Sequence, residues 1–85
     1  MAANQLTCPP PESHCHIDVC GLKCPMPILK TKKALADMTS GAILEVRATD
    51  PAAEQDFAAF ARQTGHQLLH VSQVAGVFSF YLKRK

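Results

Sequence analysis

The first regular pattern in the chain has a period of two. His16-Ile17-Asp18-Val19-Cys20 sets apolar residues between polar ones and stops at Gly21, which predicts a short strand. The period then lengthens. Ile28, Thr31, Ala34, Leu35 and Met38 fall on one side of a helical wheel and Lys30, Lys33 and Asp37 on the other, so residues 25–39 are expected to form an amphipathic helix that Ser40-Gly41 ends. Alternation returns over residues 43–48, with Leu44, Val46 and Ala48 on one face and Ile43, Glu45 and Arg47 on the other. Asp50-Pro51 is the expected start of a second helix: aspartate can cap free N–H groups, and proline at the first helical position gives up no needed donor. Ala53, Phe57, Phe60, Ala61 and Thr64 recur at helical spacing as far as Gly65, which assigns both aromatics to the core. Two more strands, residues 67–73 and 77–83, are expected around a turn through Val74-Ala75-Gly76.

The order is β-α-β-α-β-β without an internal repeat. It predicts an α/β (α+β) two-layer sandwich, a four-stranded mixed sheet with both helices on one face. The opposite sheet face would be only partly apolar, and His66 and His70 are read there as structural residues. Residues 1–14, with prolines at positions 9 to 11, have little to bury and are expected to be a flexible arm ahead of one domain over 15–85. A chain of 85 residues, 47% apolar, suffices for that single domain.

Charge and cysteine usage narrow the function classes. A formal charge of +2 is too small for an electrostatic grip on nucleic acid, although Lys83-Arg84-Lys85 is locally basic. The sequence has no run near the ~18 apolar residues of a membrane span, and its first twenty residues are polar and proline-rich, so a cytoplasmic protein without membrane contact is expected. Its four cysteines, Cys8, Cys15, Cys20 and Cys24, all precede the later elements and cannot staple them together; they read as thiols in a reducing compartment.

The candidate chemistry lies in Cys20–Pro27, CGLKCPMP. A residue before proline is pushed toward β geometry, which is also the geometry of a helix N-cap, so Cys24 is expected to cap the first helix with Pro25 and Pro27 at its first and third positions. Neither proline would cost a hydrogen bond there. With the third N–H removed, the Met26 N–H is the local donor left for the sulfur, while the positive helix end and Lys23 favour thiolate. The expectation is a rigid, exposed, nucleophilic cysteine; the plain alternative is an indifferent N-cap. There is no glycine-rich phosphate loop, HExxH pair or GxSxG elbow, so hydrolysis is poorly supported, whereas sulfur transfer between thiols needs only an accessible thiolate and a docking surface.

These residues resemble the small bacterial sulfur carriers of the TusA/SirA-like group. The signature of aspartate, two residues, Gly-Leu, any residue, Cys-Pro, any residue, Pro is present here as Asp18-Val-Cys-Gly21-Leu22-Lys-Cys24-Pro25-Met-Pro27, and the resemblance runs from about residue 16 to 83, including Asp50-Pro51. It implies a four-stranded mixed sheet and a cysteine, here Cys24, that accepts sulfane sulfur as a persulfide and hands it on. Asp18, Gly21, Leu22, Pro25 and Pro27 would shape the loop. The implied partners are a cysteine desulfurase or rhodanese-like sulfur donor and an acceptor protein in tRNA thiolation, molybdenum-cofactor assembly or sulfur oxidation. No cofactor, bound metal or direct nucleic-acid contact is implied, and a monomer is expected.

Other features permit other readings. Cys20 occupies a variable position of the signature; it reads as a small apolar residue buried at a strand end, or as an accessory thiol that resolves a persulfide. A thiol-disulfide module using Cys20 and Cys24 is the nearest rival, although its CxxxC spacing departs from CxxC. Cys15, Cys20 and Cys24 with His14 and His16 make a poor metal set, because adjacent ligands cannot easily reach one tetrahedral centre. A regulatory or nucleic-acid-binding domain lacks aromatic stacking residues or a basic stripe. Lys23, Lys30, Lys32 and Lys33 surround the first helix start and are candidates to steer acidic partner surfaces, with Lys23, Lys30 and Lys33 the expected docking residues.

Overall fold

The computed structural model describes residues 13–85. Their elements are β1 (Cys15–Asp18), α1 (Met26–Ala36), β2 (Ile43–Ala48), α2 (Ala53–Thr64), β3 (Gln67–Val74) and β4 (Val77–Lys83). The four strands form one mixed sheet in the order β1-β2-β4-β3. β1 runs parallel to β2, with Ile17 opposite Val46, and the other two pairings are antiparallel. The two-layer arrangement is thus the one expected from the sequence. Strands β2 and β4 have the expected bounds.

One sheet face is apolar and covered by both helices. Leu44, Val46, Ala48, Phe80 and Leu82 are completely buried on it, and Leu35 of α1 and Phe57 of α2 close the other side of the core. The Phe57 ring stacks on Phe80 at 4.4 Å between centroids, so the first α2 aromatic fills the core as its spacing requires. The opposite face is polar. There Glu45 lies opposite Tyr81 and Arg47 opposite Ser79. His70 meets the edge of Tyr81 at 5.8 Å. His66 accepts a 3.2 Å hydrogen bond from the Lys85 N–H through Nδ1.

Several expected boundaries move. The first strand stops at Asp18 rather than Cys20, although the Val19 N–H still donates to the Arg47 carbonyl at 2.8 Å. Helix α1 ends at Ala36, not near Thr39, because its last turn tightens: Asp37 and Met38 donate to the carbonyls of Ala34 and Leu35. Arg84 reaches back from beyond β4, its Nε–H donating to the Leu35 carbonyl at 2.7 Å, and so satisfies a helix-end acceptor. Part of the locally basic tail is therefore used in the fold. His14 is already held to β2, donating to the Ile43 carbonyl and accepting from its N–H. The rest of the expected arm, residues 1–12 with Cys8, lies outside the described residues.

Candidate functional site

Parallel pairing of β1 and β2 puts their C-terminal ends, and the loops that follow, at the same end of the sheet. Loop 19–25 therefore lies against residues 49–52, and hydrogen bonds cross between them. Asp18 begins the turn by accepting the Cys20 N–H at 2.9 Å. Gly21, with φ at +82°, turns the chain as few other residues could and donates its N–H to Thr49 Oγ1 at 2.8 Å. Leu22 donates to the Val19 carbonyl and packs its half-buried side chain against the core. The Cys24 N–H donates to Asp50 Oδ2 at 2.8 Å.

The helix start differs from the expected one by a residue. Pro25 occupies the N-cap and Met26 the first helical position, which leaves Cys24 just outside the helix. Pro27 stands second and is buried, so it anchors the first turn into the core. The Met26 N–H, expected to serve the sulfur, instead donates to the Lys23 carbonyl at 2.9 Å. Asp50 is similarly displaced from its expected capping role. Helix α2 begins at Ala53, after a turn in which the Ala53 N–H donates to the Asp50 carbonyl. The carboxylate gives one oxygen to the Ala52 N–H at 3.1 Å and the other to Cys24. One side chain thereby ties the start of the second helix to the cysteine loop.

Cys24 is exposed and opens onto a shallow groove between α1 and α2, where Pro25, Ile28 and Phe60 supply apolar walls and Asp56 and Gln63 polar ones. Its electrostatics reverse the expectation of a ready thiolate. Desolvation against the groove pushes the thiol above its ordinary value, and a hydrogen bond to Asp56 and the negative charges of Asp56 and Asp50 push the same way. The cysteine stands outside the first turn of α1, where the effect of the helix dipole falls off.

Cys20 is exposed, not buried as a strand-end residue. The strand stops two residues earlier, and the cysteine follows it into the turn. Its thiol is raised by a hydrogen bond to Asp18, then by desolvation and the Asp18 charge. Asp18 is correspondingly held low, first by the Cys20 N–H and then by its thiol. The two loop thiols thus answer to different carboxylates.

Lys23, Lys30 and Lys33 are exposed. Lys30 and Lys33 line a second groove, between α1 and β1 beside Ile17, Asp18 and Asp37, and they do not line the one that holds Cys24. Apolar exposure lies on the same helix, at Met26 and Leu29. Thr49, the Asp50–Cys24 contact and Asp56 were not recognised from the sequence as parts of the site. The signal for the first two was the parallel β1–β2 pairing, which brings an acid just past β2 beside a loop just past β1.

A family model described as sulfurtransferase TusA matches residues 16–84. A protein of Neisseria meningitidis serogroup A is 56% identical over 69 residues, covering 81% of this chain and 93% of its own length. The sulfur carrier protein TusA of Allochromatium vinosum is 48% identical over 68 residues, 80% of this chain and 90% of the relative. Among solved structures, the crystal structure of a SirA-like protein from Desulfitobacterium hafniense is similar with a TM-score of 0.73 at 27% identity, covering 81% of this chain and 95% of that one.

Proposed function

Because this chain belongs to the sulfurtransferase TusA family, we propose that it is a sulfur carrier in which Cys24 accepts a sulfane sulfur and relays it to an acceptor protein. In loading, the Cys24 sulfur attacks the terminal sulfur of a donor persulfide. The donor's S–S bond breaks, its thiol is released, and a new S–S bond leaves the persulfide on Cys24. Unloading repeats the exchange with an acceptor thiol, so no oxidant or cofactor is needed. The observation that carries this reading is an exposed cysteine held from behind by its own N–H on Asp50, with the sulfur left open to a groove. Asp18, Gly21, Leu22, Pro25 and Pro27 shape the loop and take no part in bond making.

The donor in this reading is a cysteine desulfurase or a rhodanese-like protein, and the acceptor serves tRNA thiolation, molybdenum-cofactor assembly or sulfur oxidation. The carrier acts as a monomer in the cytoplasm. Exposed Lys23, Lys30 and Lys33 steer acidic partner surfaces toward the groove. Exposure of both Cys20 and Cys24 on one short loop favours a secondary reading, in which Cys20 resolves a persulfide on Cys24 as a disulfide and releases hydrogen sulfide.

Intact-protein mass spectrometry after incubation with a persulfide donor tests the main reading. The wild type and the Cys8→Ser, Cys15→Ser and Cys20→Ser variants should each gain one reducible sulfur, and Cys24→Ser none. Loading of Cys24→Ser at the wild-type level would make the loop a helix start and nothing more. Wild-type and Cys20→Ser persulfides of equal lifetime would remove the resolving role.

A further inference from the structure

We propose that the Asp56 carboxylate takes the Cys24 thiol proton during sulfur loading and returns it to the departing donor thiolate. This rests on the persulfide-relay reading above and assigns the base that reading requires. A thiol must lose its proton before its sulfur can attack, and the groove offers few acceptors. Asp56 stands half-buried in the first turns of α2, and among the described residues it is the only titratable side chain lining the groove besides the thiol itself. The remaining polar wall is Gln63, an amide that cannot serve as a base.

Other charged groups near the sulfur are already committed or face elsewhere. Both Asp50 oxygens accept backbone N–H groups, one from Cys24 and one from Ala52. Lys23 precedes Cys24 in the loop but does not line the groove, and Lys30 and Lys33 border the groove on the β1 side. Asp56 has no such commitment. Among the described residues the one ion pair joins Arg47 to Glu45 on the polar sheet face, so the Asp56 carboxylate has no cation partner. A half-buried carboxylate without a cation needs a hydrogen-bond donor, and the Cys24 thiol lines the same groove.

The exchange balances as an acid–base pair. The proton moves from the Cys24 sulfur to an Asp56 oxygen while the new S–S bond forms. As the donor's S–S bond breaks, Asp56 protonates the thiolate that leaves, and one thiol replaces another with no net oxidation. The carboxylate also acts on the loaded state. A charged persulfide on Cys24 is repelled by ionised Asp56, which favours handing the sulfur on over holding it.

Asp56→Asn keeps the shape and removes the base, and its two expected effects have opposite signs. Alkylation of Cys24 by iodoacetamide, followed against pH, should shift its midpoint to lower pH, because a negative neighbour is gone. Loading from glutathione persulfide at neutral pH should nevertheless slow on the order of 10²-fold, the usual size of a lost proton-transfer group. Glu54→Gln, an exposed neighbour in the same helical turn, should change neither. An unshifted alkylation midpoint or undiminished loading in Asp56→Asn overturns the assignment. If Asp56→Asn fails to fold by circular dichroism, Asp56→Glu replaces it, with slower loading expected and wild-type loading overturning the proposal. Failure of the wild type to load while Cys24 alkylates normally would overturn the carrier reading instead.

Discussion

Two tight turns of this molecule are built in opposite ways. The turn joining β3 to β4 is closed by its own backbone, with φ of +51° at Ala75 and +81° at Gly76. Loop 19–25 is held from outside: Thr49 and Asp50, 28 and 26 residues away, accept the N–H groups of Gly21 and Cys24. A hairpin turn must only reverse the chain, which local φ and ψ achieve. A loop that presents a thiol must also fix one atom relative to a groove formed by two helices, and for that it draws on residues across the fold. Hydrogen-bond partners distant in sequence therefore set the cysteine loop apart from the hairpin turn.

The most disruptive way to test this contrast is to cut the link from outside. Asp50→Asn keeps an acceptor but removes its charge, while Asp50→Ala removes both oxygens from Cys24 and Ala52. Asp50→Ala should slow persulfide loading by on the order of 10-fold or more through misplacement of the sulfur. It should also cost about 1–2 kcal/mol in urea unfolding. Loading at the wild-type rate would show that the loop holds its own shape.

Next in size is Gly21→Ala. An added Cβ meets nothing within 4 Å, so the whole penalty is the left-handed backbone, about 1–2 kcal/mol by urea unfolding. The converse change sharpens the comparison. Ala75→Gly should stabilise the chain by roughly 0.5–1 kcal/mol, since alanine there already bears the left-handed penalty, and should leave sulfur loading untouched. A change in loading would link the hairpin tip to the site.

The smallest effect belongs to a third junction, where α2 ends at Gly65 and His66 follows. Burial, then Lys85 and Arg84, hold His66 below its ordinary value, so the folded state binds its proton less readily than the unfolded one. Stability should fall slightly as pH drops through about 6.5 toward the folded value and then level off. Urea unfolding across that range should show the decline in the wild type and not in His66→Gln.

Much of the fold was legible because its signals are local. Strand β4 could be read to the residue: Phe78, Phe80 and Leu82 alternate with Ser79, Tyr81 and Lys83, and the former set is buried on the helix side. Tyr81 shows the limit of the rule, since it is nearly as buried as Phe78 on the other face, under cover of Glu45 and His70. The cysteine motif predicted an exposed Cys24, as found, but not the carboxylates beside it. Helix ends and Lys23 are adjacent in sequence and visible, whereas Asp50 and Asp56 approach the sulfur only after β2 and α2 have folded against the loop. Cys20 failed for a related reason. Alternation continues in the sequence past Asp18, but the strand does not, because the Cys20 N–H turns back to the Asp18 carboxylate.

On the proposed reading, Cys24 holds a sulfur it can give away. Protein loaded with a persulfide donor, desalted and treated with cyanide, reports this as thiocyanate. Close to one thiocyanate per chain is expected from the wild type, with the protein returning to its unloaded mass, and none above background from Cys24→Ser. Equal thiocyanate from both proteins, or a loaded wild type whose sulfur cyanide does not remove, would contradict it.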